Sequence, residues 1–334
     1  MFNFSPRFAL LPSAALAIML GLTACGGGSD TPAPAGATPA PGGQTPAPTP
    51  IDPAPIDPAP IDPAPAAAIN ITGLVDYRAT GGGNRLVNFV ASTASNAATP
   101  VAITGLVGND TVIGIDRNTN GIYWAFARAA AAPGGAPNGA AAIYVINPVS
   151  GVASGRLPVT FPAGVTLDGS TSVSVDFNPT NNLMRVVTFL GRSLAINTGT
   201  AAATENPNTG FGSAAVAYGN NVAGATTTTL YRINNNGSTA SPPPDQLSTS
   251  AIATGATTNV GPIGLDLVEV QAFDISGAND VNALAALRTS GAGAHTLYRI
   301  NLTNGTATLF NATAAASLIG GTTGLPLVDI TIRP

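Results

Sequence analysis

The hexapeptide Thr229-Leu-Tyr-Arg-Ile-Asn234 returns letter for letter as Thr296-Leu-Tyr-Arg-Ile-Asn301, and a chain that reuses one short strand must stack its copies. Looser versions stand at Ala142-Ile-Tyr-Val-Ile-Asn147, Ser193-Leu-Ala-Ile-Asn197 and Asn84-Arg-Leu-Val-Asn-Phe89. Each meets turn chemistry within a few residues, as in Asn147-Pro-Val-Ser-Gly151, Asn197-Thr-Gly199 and Asn301-Leu-Thr-Asn-Gly305. Asn and Gly tolerate positive φ, so these segments are expected to be hairpins. A second element alternates with the first: Val112-Ile-Gly-Ile-Asp116, a polar turn and Ile122-Tyr-Trp, then Ser172-Val-Ser-Val-Asp176, a polar turn and Leu183-Met-Arg-Val-Val. Gln271-Ala-Phe-Asp274-Ile and Leu327-Val-Asp329-Ile read as worn copies of it.

Two hairpin types in alternation make a four-stranded unit, and such units repeated radially make a β-propeller, whose strands are apolar on both faces because blades stack on blades. The expected fold is therefore all-β and propeller-like, in one domain over 69–334. At about 40–45 residues per blade there is room for roughly six blades, and the uneven spacing allows five to seven. A β-sandwich or β-helix remains an alternative. No window sustains a 3.6-residue apolar period; Ala283 to Arg288 comes nearest to a helix and is short.

Ahead of this domain, Arg7, the apolar run Phe8 to Leu20 and the small residues Gly21 to Ala24 read as an export signal ending before Cys25. The stretch resembles a bacterial lipobox, which implies cleavage after residue 24, acylation of Cys25 with palmitate-type chains and anchoring in the outer membrane after general export. The segment is shorter than a membrane span and holds Pro12. From Cys25 to residue 68 the composition turns to Gly, Pro, Ala and Thr, with Ile51-Asp-Pro-Ala-Pro repeated from Ile56 and Ile61. Such a segment buries too little apolar surface to fold and reads as a disordered, extended tether. Cys25 is the only cysteine, which leaves none for a disulfide, a thiolate metal site or a cysteine nucleophile. From Asn70 onward twelve acidic residues face eleven arginines and no lysine, so no basic face suits nucleic acid.

Candidate chemistry is sparse. His295 is the only histidine, which removes a two-histidine metal site and leaves a structural or exposed role. Glu205 and Glu269 are the only glutamates, so a glycosidase-type pair would be built from aspartates. Asp116, Asn118 and Asn120 with Gly121 match the first half of a calcium loop, but Ala127 stands where the closing carboxylate belongs. The three are weak metal candidates, and hairpin closure is the favoured reading. Trp124 could offer a stacking platform, whereas Tyr144, Tyr231 and Tyr298 share one slot of the repeat strand, as core packing would require. The insertions Ala129 to Gly139 and Ser238 to Asn259 are candidate contact loops.

Asn84-Arg-Leu-Val-Asn-Phe, Ile113-Gly-Ile-Asp-Arg, Ile143-Tyr-Val-Ile-Asn-Pro, Val175-Asp-Phe-Asn-Pro-Thr, Met184-Arg-Val-Val and Ala225-Thr-Thr-Thr-Thr-Leu-Tyr together resemble a bacterial family of secreted and envelope proteins known as domain of unknown function 4394. The resemblance runs over nearly all of Ile71 to Pro334 and implies a propeller-like fold with no stated activity. The expected protein is an envelope lipoprotein presenting a non-catalytic binding or structural module. It would need no cofactor, and its partners would be the membrane, through lipid, and a protein or glycan ligand. The alternative is a carboxylate- or calcium-dependent hydrolase acting outside the cytoplasm. Three or more of Asp110, Asp116, Asp168, Asp176, Asp266, Asp274 and Asp329 gathering in a concave site would favour the hydrolase.

Overall fold

Short strands bounded by Asn- and Gly-rich turns pair into five antiparallel sheets of four strands each in a computed structural model of the chain. The structure describes residues 68–77, 83–129, 139–167, 172–210, 212–235, 245–268, 272–289 and 294–333. The expected signal segment, Cys25 and the tether lie outside them. Blade one takes Asn70–Asp76 (β1), Asn84–Val90 (β2) and Val101–Ala102 (β3). Blade two is Thr111–Arg117 (β4), Tyr123–Arg128 (β5), Ala141–Ile146 (β6) and Ala153–Pro158 (β7), and blade three is Val173–Phe177 (β8), Met184–Thr188 (β9), Ser193–Ile196 (β10) and Ala203–Asn206 (β11). Blade four is Ser213–Tyr218 (β12), Leu230–Asn234 (β13), Gln246–Ser250 (β14) and Thr257–Pro262 (β15). Blade five is Ala272–Ser276 (β16), Asn282–Leu287 (β17), Thr296–Ile300 (β18) and Ala307–Leu309 (β19), and Leu327–Arg333 (β20) returns to pair with β1 as the inner strand of blade one. The fold is a β-propeller closed by its own two ends.

Five blades stand where roughly six were expected, within the five to seven that the uneven spacing allowed. Long connections such as 159–172 and 310–326 lie between blades and absorb the length that a uniform 40–45-residue period would assign to another one. Ala283 to Arg288 is strand β17 and the turn after it, and the longest α-helix among the described residues is Ala314–Ser317. No helix there is long and apolar enough to cross a membrane.

Apolar residues on both faces of the inner strands bury as wedges between neighbouring blades. Every residue of β8 and β9 is buried, while the outer strand β7 is largely exposed. Leu74 and Leu86 of blade one pack with Ile115 and Tyr144 of blade two, and Trp124 and Phe126 of blade two pack with Phe177 and Leu194 of blade three. Blades four and five share Ile233, Leu247 and Phe273, and blades five and one share Leu284, Leu297, Ile71 and Val87. The wedge between blades three and four is the small one, with Val187, Val216, Tyr218 and Leu230. Polar bonds complete it: Arg185 reaches the Tyr218 hydroxyl at 3.0 Å, Ser193 and Asn206, and Arg232 donates to the Thr209 carbonyl.

The Asn turns recur as expected between third and fourth strands. Asn147, Asn197 and Asn301 each accept, through Oδ1, the backbone N–H groups two and three residues on. The chain then bends through a left-handed residue, Gly151, Ala201 or Gly305. The letter-for-letter repeat is a different matter. Thr296–Asn301 ends the third strand of blade five, but Thr229–Asn234 is the second strand of blade four. The place equivalent to Asn301 in blade four is Ala251, whose carbonyl accepts Gly255 N–H and whose N–H donates to Ala256 in the same turn geometry. One hexapeptide fits both strands because both are paired on each edge and bury the same Leu and Ile, Leu230 and Ile233 in one and Leu297 and Ile300 in the other, while Arg232 is buried and Arg299 exposed. Ser238 to Asn259 is accordingly no single insertion: it contains β14 and the start of β15.

Candidate functional site

The five inner strands β20, β4, β8, β12 and β16 stand side by side around the axis, and four of them carry a buried aspartate. Asp116 accepts the N–H of Phe177 at 2.7 Å, Asp176 that of Tyr218 at 3.2 Å, and Asp274 that of Ile332, each bond running from one blade to the next. These three hold one level of the ring, where β12 has Ala217 and β20 has Thr331. Asp329 stands two residues earlier, at the level of Ser174. It accepts Ile115 N–H at 3.0 Å, as Ser174 Oγ accepts Val216 N–H at 2.9 Å. Gly114 provides the room at that level, since a Cβ there would meet Val175 and lie 3.2 Å from Asp329 Oδ2. The aspartates are blade-to-blade fasteners; after Asp116 and Asp176 the bend is closed by Asn118 and Asn178 instead.

Exposure of the four is only 1–2 %, so solvent cannot hold their charge. Burial raises the affinity of each for its proton, pushing Asp116 up to about 6 and Asp176, Asp274 and Asp329 well above the ordinary carboxyl range. Repulsion from the other carboxyls adds to this for Asp176, Asp274 and Asp329. Backbone N–H donors pull the other way. Oδ1 of Asp176 and Oδ1 of Asp274 lack a well-formed hydrogen bond, and the Thr331 hydroxyl acts on both Asp116 and Asp274.

At the end of the axis where β4 and β16 finish, a cavity of about 330 Å³ opens between blades. Arg117, Thr119, Asn221, Ser276, Asn282 and Ile332 line it, from blades two, four, five and one. Among the described residues Arg117 is its one cation. The guanidinium lies 6.0 Å from the Tyr123 ring and has no hydrogen-bond acceptor among the described residues.

Other candidates fall elsewhere. Asn118 Oδ1 accepts the N–H groups of Asn120 and Ile122 within its own turn, while Asp116 turns to blade three, so the oxygens of the expected half-loop are used separately. Among the described residues no three His, Cys, Asp or Glu side chains are arranged to hold a metal ion. Asp110 accepts from the Tyr144 hydroxyl at 2.6 Å and from Arg156 Nε at 2.8 Å, a clip inside blade two. Asp266 is exposed, Glu205 pairs with Arg192 at 2.5 Å, and Asp168 and Glu269 lie outside the described residues. His295 is buried and its Nδ1 accepts Leu327 N–H at 3.2 Å, tying blade five to the returning strand. Trp124 is core. Tyr144 and Tyr298 share a slot on third strands, but Tyr231 sits on a second strand. Residues 130–138 and 238–244 of the candidate contact loops are outside the described set. Arg117 escaped notice in the sequence because it reads as one more turn residue beside Asp116.

Fold and axis define a five-bladed β-propeller fastened by buried carboxyls. The chain belongs to the family described as Domain of unknown function (DUF4394), whose model matches residues 85–321. Among solved structures it is similar to a protein of unknown function from Bacteroides caccae, with 10 % identity and a TM-score of 0.44 over 80 % of this chain and 99 % of that one. It is also similar to an ACO/RPE65 chimera, with 12 % identity and a TM-score of 0.35 over 80 % of this chain and 64 % of that one. No curated protein matches it.

Proposed function

We propose that this chain is a lipid-anchored envelope protein whose propeller binds a ligand without chemically changing it. The observation that carries the reading is the use made of the acidic residues. Four aspartates do gather on the axis, as a carboxylate-dependent hydrolase would need, but each is nearly inaccessible and bonded to a neighbouring blade's backbone. A general acid or base must lie within reach of its substrate. An accessible feature at the axis is the cavity beside Arg117, lined by polar and apolar residues alike, which suits a glycan or peptide presenting an acidic or acceptor group. Acylation of Cys25 would hold the domain to the outer membrane through the extended segment that follows it.

Two measurements test this. Arrays of acidic oligosaccharides and peptides probed with the full chain should give a retained class, and Arg117→Ala should weaken that binding about tenfold or more, the value of one charged hydrogen bond. Equal retention by Arg117→Ala would remove the cavity from the reading. In cells fed labelled palmitate the wild type should carry label and Cys25→Ser should not; label persisting in the variant would refute the anchor.

A further inference from the structure

Four carboxyls on one axis are a concentration of like charge, and the cation acting on them is Arg117, beside Asp116; among the described residues no cation acts on Asp176, Asp274 or Asp329. None of the four is ion-paired among the described residues. The layer is faced from β4 by Asp116 and Arg117, from β8 by Asp176, from β12 by Tyr218, from β16 by Asp274, and from β20 by Asp329, Thr331 and Arg333. From the second strands β5 brings Tyr123, and β9 brings Arg185. The Arg185 guanidinium is taken up by Tyr218, Ser193 and Asn206, and both Arg117 and Arg333 act on Tyr123 near the axial mouth.

Each of Asp176 and Asp274 uses Oδ2 for a backbone donor of the next blade, and Oδ1 of each is buried without a well-formed hydrogen bond, although the Ile275 N–H and the Thr331 hydroxyl stand near Asp274. An ionised oxygen in that position would forgo a strong interaction in a low-dielectric core, whereas a protonated one needs no counter-charge. The Thr331 hydroxyl interacts with Asp116 and Asp274 from between their strands, and with a single hydrogen it can donate to one at a time. We propose that Asp176 and Asp274 are carried as acids around neutral pH, with Oδ1 of each holding the hydrogen, so that the propeller closes around bound protons and slackens in alkali.

The direction follows from linkage. Below about pH 4 the carboxyls of the unfolded chain are protonated as well, and the ring contributes its full stability. As pH rises the unfolded chain gives up protons that the folded ring still retains, so each step favours unfolding until the folded value is passed. For Asp116 that window closes at about 6; Asp176, Asp274 and Asp329, raised further, extend it upward.

Melting of the full chain in detergent should therefore show a midpoint that drops by roughly 5 °C or more between mildly acidic and mildly alkaline buffer. The double variant Asp176→Asn with Asp274→Asn keeps both acceptors and has hydrogens built in, and its midpoint should fall by less than half as much. An equal fall in both proteins, or a midpoint that climbs with pH in the wild type, would overturn the proposal. So would a marked rise on adding calcium that a chelator reverses, since an ion would then occupy the layer. Infrared difference spectra of the wild type give a reading that survives a variant that does not fold. A protonated-carboxyl stretch present at neutral pH and lost in alkali is expected, and its absence at neutral pH overturns the assignment.

Discussion

Deletion of residues 325–334 is expected to abolish cooperative folding of the domain, although the cut removes one strand of twenty. That strand, β20, is the inner member of blade one, paired with β1 from Asn70 opposite Arg333 to Val75 opposite Leu327. Leu327, Ile330 and Ile332 are buried in the wedge with Ile71, Val87 and Leu284. At about 1.5–3 kcal/mol for each buried aliphatic side chain, these three alone match a large part of the 5–15 kcal/mol that holds a typical domain together. Two blade-to-blade fasteners go with them, Asp329 to Ile115 N–H and Ile332 N–H to Asp274. The His295 tie to Leu327 goes as well. Circular dichroism should show a broad, non-cooperative melt, and adding a peptide of residues 325–334 in excess should restore a transition. A sharp melt without the peptide would mean that the ring does not depend on its closing strand.

How far the sequence announced this fold depends on which residues carried the signal. Asn147, Asn197 and Asn301 were legible because an Asx turn is local: side-chain oxygen and amide donors lie within three residues of each other. Alternation of two hairpin types was legible for the same reason, and it is enough to imply blades. The number of blades was not, because inter-blade connections vary in length and β20 comes from the far end of the chain. The identical hexapeptides misled because a second strand and a third both need a buried Leu and Ile at the same spacing; only the turn that follows distinguishes Asn301 from Asn234.

The axial site was half legible. Asp116, Asp176 and Asp274 declare themselves by ending an apolar strand, but their partners Phe177, Tyr218 and Ile332 are backbone amides on the next blade, which no residue letter encodes. Asp329 resembles the other three in context and yet sits one level away, with Thr331 in the matching place. Gly114 marks that offset, and it looks like an ordinary small residue until the neighbouring strand is in place.

Gly114→Val is the sharpest test of how tightly the axis is packed. The backbone at Gly114 has no left-handed requirement, so any effect must come from space. A Cβ there would drive into the Val175 side chain on β8 and crowd Asp329 Oδ2 at 3.2 Å. Inserting carbon into a closed core commonly costs about 1–3 kcal/mol, and the disturbed Asp329 bond to Ile115 should add about 1 kcal/mol. For a domain of this length the melting point should drop by roughly 5–15 °C. Val175→Ala opens the space from the other side, so the double variant should recover part of the loss relative to Gly114→Val alone, a coupling that independent sites do not show. Gly83→Ala, where an added Cβ meets nothing within 4 Å, should melt with the wild type. Were Gly114→Val to melt with it too, inner strands β4 and β8 could not be in contact at this level, and the placement of Asp329 against blade two would have to be abandoned.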